Sequence, residues 1–302
     1  MTAHTINRGG VQDAPDAALP PLAPPSANAG LLDVLRRRYL LRLLVRKEIQ
    51  SRYQGSVLGL LWSYVQPLVR FVMYFFVIGI VLGMHRNLPN FAIHMFSAIV
   101  VVNYFTETFS SGTRAIVRNK AIVRKMAMPR EMFPVAAVIV SAIHTFPQLL
   151  ILFVACVGVG WSPDLTAIGA GLLAAAIVTI FGTALALLFS GMNVFFRDFQ
   201  NIVATLTIFT HWAVPMLYPY SRLANSSLGD GWFIQLYLAN PLTEAVLLFQ
   251  RCMWIPTTGS ASLPPNTMPP HLFLRGWIML VVVTVFLGLA QLAFTRLEGK
   301  IA

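Results

Sequence analysis

The run RAIVRNKAIVRKMAMPRE, residues 114–131, lies between two long apolar segments, and the rest of the chain is read from it. It carries Arg114, Arg118, Lys120, Arg124, Lys125 and Arg130 against one acid, Glu131. Ile122, Val123 and Met126 fall on one side of a short helix, and Lys120 and Arg124, spaced i,i+4, on another. A basic loop between apolar helices reads as cytoplasmic. Two readings stay open. The loop is a solvated stretch that only sets topology, or it is a short amphipathic helix that a soluble partner grips.

Composition agrees with a membrane setting. The 302 residues are 57% hydrophobic and 11% charged, where a soluble domain carries about 25% charged residues. The mean hydropathy is +0.69. These values describe an all-α polytopic membrane protein. Cys156 and Cys252 make neither a disulfide framework nor a metal site. A net charge of +11 suggests nucleic acid in a soluble chain. Here the position of the charges matters more than their sum, and no nucleic-acid partner is expected.

Outward from the basic run, residues 1–30 are small and polar, with Pro20, Pro21, Pro24 and Pro25. They lack the apolar core of a signal peptide and read as a disordered cytoplasmic tail. Residues 31–53, LLDVLRRRYLLRLLVRKEIQSRY, form an amphipathic interface helix. Arg38, Arg42 and Arg46 make its basic stripe, and Leu40, Leu41, Leu44 and Val45 its apolar side. Such a helix lies on an anionic leaflet or packs on a soluble partner.

The transmembrane unit is expected over 54–302. Six transmembrane helices are predicted at 57–83, 91–112, 131–158, 164–193, 199–219 and 272–295, each spanning about 30 Å of hydrocarbon. Pro67 and Pro147 fall within spans and are expected to kink them. Lys and Arg crowd one side, including the six of the central run. The other side holds only Arg86, Arg222, Arg251 and Arg275. The positive-inside rule then places both termini in the cytoplasm of a multi-pass plasma (inner) membrane protein. The outer stretch 220–271 contains two short apolar runs, GWFIQLYLA (231–239) and LTEAVLLFQRCMW (242–254), parted by Asn240-Pro241. Neither spans, and each fits a short re-entrant or interfacial helix before the last span.

Catalysis finds little support. The eleven acids are scattered and make no close pair for metal or acid–base work. The histidines lack ligand spacing, so no metal is expected. No GxxxxGK[ST] loop is present, so if the protein is powered by ATP, the ATP and Mg are bound by another chain. Arg70 lies near the middle of the first span, where an Arg costs about 2.5–3.5 kcal/mol on insertion scales. It is expected either to pair with Glu107 or helix carbonyls, or to face a channel and attend an anionic substrate. His144 and His211 read as packing histidines. The first span is rich in aromatics, among them Trp62, Tyr64, Phe71, Tyr74, Phe75 and Phe76. They suit sugar faces, lipid contact or packing.

The stretches RYQGSVLGLLWSYVQPL (52–68), the segment 96–136 with its basic run, NVFFRDFQNI (193–202) and ANPLTEAVLLFQ (239–250) carry a resemblance. The chain resembles the membrane subunit of ABC-2 type polysaccharide exporters, which move O-antigen, capsule, teichoic acid and galactan precursors. The phrasing VVNYF, VRNKAIVRKM and MPREMFPVAAVIVSAIHTFPQLL looks most like the actinobacterial galactan exporters.

The resemblance implies a pore of two copies of this chain over two copies of an ATPase subunit, with a lipid-linked glycan as substrate. It implies ATPase coupling through Arg114, Arg118, Lys120, Ile122, Val123, Arg124, Lys125, Met126, Arg130 and Glu131. The helix 31–53 would be a second contact and gate. Channel-lining candidates are Trp62, Tyr64, Arg70, Tyr74, Tyr104, Phe105, Trp212 and Tyr218. Arg36, Arg37, Arg38, Arg52 and Arg114 are candidates for a carrier pyrophosphate. Trp232, Phe233, Tyr237, Glu244, Phe249 and Trp254 are candidates for the outer gate.

Three rivals remain. An ABC-2 exporter of a drug or small lipid has the same architecture and predicts a closed, lipid-accessible pocket. A polytopic glycosyltransferase needs a carboxylate pair or metal cluster. A structural scaffold leaves the basic run without a purpose.

Overall fold

A computed structural model describes residues 30–55, 59–86, 88–125, 128–227, 229, 231–259 and 263–298. The tail expected before residue 30 lies outside the described residues, as do Met126 and the side chain of Arg124. The described residues are mostly helical, with no strand among them.

The chain opens with α1 (Gly30–Arg36) and α2 (Arg38–Tyr53). The first apolar segment is α3 (Trp62–Tyr74), continued by a π-helical turn at Phe75–Val81. Next come α4 (Phe91–Arg118), α5 (Lys120–Lys125), α6 (Met132–Gly158) and α7 (Leu165–Phe195). After them stand α8 (Phe199–Thr210), α9 (Tyr220–Ala224), α10 (Trp232–Leu238), α11 (Pro241–Met253) and α12 (Leu272–Glu298). Pro67 and Pro147 lie inside α3 and α6.

Helix α4 is the hub. It packs on α6, α7, α8 and α11. Its apolar window is 83% buried, against 11% for the window over 64–81. Hydropathy runs the other way: α4 is the least apolar of the long helices, at 1.2 against 2.5 for α7. Lipid solvates apolar side chains as well as a protein core does, so small and polar residues decide which helix goes inside. Gly112 shows this. A Cβ there would meet the Ala186 Cβ at 2.4 Å, so only glycine permits the approach of α4 to α7.

Among the described residues, five helices are long and apolar enough to cross a membrane, and α10–α11 form a further bent pair. The segment expected as a fifth span over 199–219 is shorter than the sequence suggested. Helix α8 stops at Thr210, and at about 1.5 Å per residue its 12 residues reach only about 18 Å. Pro215 and Pro219 follow, each without an N–H to continue the ladder. The irregular backbone is held by side chains instead. Gln250 donates to the Pro215 carbonyl at 2.9 Å, and the Tyr218 hydroxyl donates to the Trp212 carbonyl at 3.1 Å. Irregular backbone survives in a membrane protein when protein groups satisfy it in this way.

The two short helices expected before the last span are present. Helices α10 and α11 meet at 75° about Asn240-Pro241, and the Asn240 side chain accepts the Leu242 N–H at 3.0 Å. Helix α11 is not a surface feature. Leu242 through Gln250 are all buried, against α4, α7 and α12.

Candidate functional site: a polar groove beside the interface helix

Three helices bring polar residues to one place through helical spacing. Gln66 and Arg70 stand i,i+4 on α3. Asn103, Thr106 and Glu107 stand i,i+3,i+4 on α4, and His144, Thr145 and Gln148 share a face of α6. With Arg52, Gly59, Trp62 and Pro67 they line a groove of about 390 Å³. A second cavity of about 230 Å³ shares Arg52 and is lined by Glu48, Ser51, Ser111 and Arg118, with Ala137 and Val140. A polar path therefore runs along α2 toward the middle of α3.

The charges pair differently from the expectation of an Arg70–Glu107 pair. Arg52 donates to Glu107 at 2.6 Å. Arg70 instead donates to the Asn103 side-chain oxygen at 2.6 Å, and Asn103 donates on to Gln148 at 3.0 Å. Its positive charge is thus hydrogen-bonded by a neutral amide chain. The Ser111 hydroxyl donates to the Glu107 backbone carbonyl at 2.5 Å and lies 3.2 Å from its carboxylate.

Next to the groove, α2 is fastened to the end of α4. Arg118 and Asn119 both donate to Glu48, the latter at 2.8 Å, and Lys47 donates to Asn119 at 2.5 Å. The apolar face of α2, with Leu41, Leu44 and Val45, is buried against Ala115, Ile116, Met132 and Phe133. Its arginines, Arg38, Arg42 and Arg46, stay exposed. The face that sequence assigned to lipid or a partner is covered by the protein's own helix ends. Arg36, Arg37 and Arg38 are exposed, with Arg37 paired to Asp33 at 2.9 Å.

Within the basic run, Arg114 closes onto Ser110 at 3.0 Å, and Lys120 and Lys125 are exposed. Ile122 and Val123 pack against the α2 cluster. Arg130 is half-buried. Glu131 is buried and accepts from Gln291 of α12 at 3.0 Å.

The aromatic candidates divide. Trp62 lines the groove, and Tyr64 and Tyr74 are half-buried on α3. Tyr104 and Phe105 are buried in the core, with the Tyr104 hydroxyl 3.2 Å from Thr179 and the Phe105 ring stacked on Phe181 at 5.4 Å. Trp212 is exposed and Tyr218 half-buried. At the far end, Trp232 and Phe233 are exposed, whereas Phe249 and Trp254 are buried. Trp254 donates to the Pro89 carbonyl at 2.8 Å. Tyr237 and the buried Glu244 have oxygens without a hydrogen-bond partner among the described residues.

Sequence reasoning missed Asn103, Gln148, Thr106, Thr145 and Glu48. The signal was available for the first four: polar residues at helical spacing on two otherwise apolar segments. No group of three or more His, Cys, Asp or Glu is placed to hold a metal among the described residues.

Comparison with known proteins places this architecture. The chain is 29% identical over 226 residues to the O-antigen export system permease protein RfbA of Myxococcus xanthus, covering 74% of this chain and 83% of that one. It is 26% identical over 208 residues to an O-antigen export system permease protein RfbA of Klebsiella pneumoniae, covering 69% and 77%. The model of the ABC-2 type transporter family matches residues 39–254, from within α2 to just past α11. The chain belongs to the ABC-2 type transporter family.

Proposed function

We propose that this chain is the channel-forming permease of an ABC transporter that exports a lipid-linked polysaccharide, driven by ATP hydrolysis in a separate subunit. The observation that carries the reading is the polar groove in an otherwise apolar bundle, in a chain whose relatives are named as O-antigen export permeases. Neutral hydroxyl-rich chains need amide and hydroxyl partners, and Gln66, Asn103, Thr106, Thr145 and Gln148 offer them beside the Trp62 ring. Arg52 and Arg70 supply cations for a carrier diphosphate. The working unit is two copies of this chain over two ATPase subunits, with the termini in the cytoplasm of the plasma membrane. The exposed Lys120 and Lys125 of α5 form the contact surface for the ATPase. The finer assignment is a galactan-type glycan, which rests on the resemblance of the 101–150 region.

Depletion in the native cell tests the substrate class. Loss of surface glycan, with its lipid-linked precursor accumulating inside, is the expected result. Intact surface glycan, with a drug or small lipid retained instead, would move the assignment to the small-substrate exporters.

A further inference from the structure

We infer that Glu107 is an internal counter-anion that occupies Arg52, and that a lipid diphosphate binds the groove by taking Glu107's place on that guanidinium. The inference rests on the lipid-linked reading above and adds how the site is held when no substrate is bound. The described charges that line the groove are Arg52, Arg70 and one carboxylate, Glu107, with His144 alongside. One positive charge is left over, hydrogen-bonded by the neutral Asn103–Gln148 chain. Charge balance therefore favours one more anion.

The Arg52–Glu107 pair is built to exchange. Its side chains are 41% and 32% exposed, so water screens the contact, and such pairs are weak. The Ser111 hydroxyl, which donates to the Glu107 carbonyl at 2.5 Å and lies 3.2 Å from its carboxylate, can turn to the carboxylate when Arg52 leaves. A phosphate offers Arg52 the same fork geometry as the carboxylate, with more oxygens. A lipid source fits better than a free anion. The groove opens beside a face of α3 whose Leu68, Val69, Val72 and Met73 are exposed, so an apolar tail stays in hydrocarbon while the head enters.

Purified full-length protein in detergent is titrated with farnesyl diphosphate, inorganic diphosphate and farnesol. The Trp62 fluorescence change is the readout, identified as the signal lost in Trp62→Phe. Glu107→Gln removes the competing charge and is expected to bind farnesyl diphosphate about fivefold more tightly, the most that a screened pair of this kind withholds. Glu107→Asp, which keeps the charge, is expected to return toward wild-type affinity. Arg52→Gln and Arg70→Gln are each expected to weaken binding about tenfold or more, as loss of a charged hydrogen bond does.

Unchanged or weaker binding by Glu107→Gln, with both arginine variants impaired, would overturn the exchange while leaving the diphosphate site in place. Indifference of both arginine variants, or equal binding of farnesol, would remove the site itself. Inorganic diphosphate binding as tightly as the farnesyl compound would overturn the lipid source.

Discussion

Glu48 is the residue on which the junction of α2 and α4 depends. It is buried, and it accepts from Arg118 and Asn119 together. Asn119 is itself buried, so removing the carboxylate leaves its amide nitrogen with only the Ala115 carbonyl, 2.9 Å away. Glu48→Ala is expected to destabilise the protein by about 1.5–3 kcal/mol, the range for losing hydrogen bonds to a charged group. Thermal unfolding in detergent measures this, and an unchanged transition would show the cluster to be dispensable. The same geometry bars Arg118→Glu as a clean probe of partner binding, because it sets a second carboxylate beside Glu48. Little of this was legible in sequence. Glu48 and Arg118 are 70 residues apart, and Arg52 and Glu107 are 55 apart. Spacing within one helix reveals neighbours at i,i+3 and i,i+4, but which of several arginines a carboxylate meets is set by tertiary packing. Hence Glu107 was expected to meet Arg70, which its depth allowed, and meets Arg52.

At the scale of elements, periodicity and hydropathy located the helices well. The amphipathic segment 31–53 became α1 and α2 with the arginine stripe outward, as its pattern required. What covers the apolar stripe was not legible, since lipid, a partner and the protein's own helix ends are equally apolar. The break after α8 was legible in Pro215 and Pro219, whose missing N–H groups outweigh the apolar composition of 199–219. Burial order was also readable from small residues. The α4–α7 crossing depends on Gly112 facing Ala186. Gly112→Val would force the helices apart and is expected to cost about 1–3 kcal/mol from overpacking. Retention of the monodisperse peak on size-exclusion chromatography after heating reports it. Wild-type heat resistance would mean that this crossing has slack.

For the whole molecule, the two hydrophobic clusters mark two ends. One gathers α2, the ends of α4, α7 and α12, and the start of α6, and carries the exposed cations of the basic run. The other gathers the start of α4, the irregular 211–219 segment and α11. Glu48, Arg118 and Asn119 tie the end of α4 to α2 beside the groove, so on the proposed coupling a push at α5 would reach the groove through them. On this account the double variant Lys120→Glu, Lys125→Glu leaves the fold intact, since both side chains are exposed. It is expected to reduce ATPase-subunit binding about tenfold or more, as charge pairs across an interface do. Surface plasmon resonance against the ATPase subunit measures it, and undiminished affinity would move the contact away from α5.

The most direct test of the transport reading is co-purification of this chain with its ATPase subunit, followed by ATP hydrolysis with and without the lipid-linked glycan. The account predicts a stable complex of two copies of each chain whose turnover changes when the glycan is added. A complex that forms but ignores the glycan, or a failure to form any complex, would contradict it.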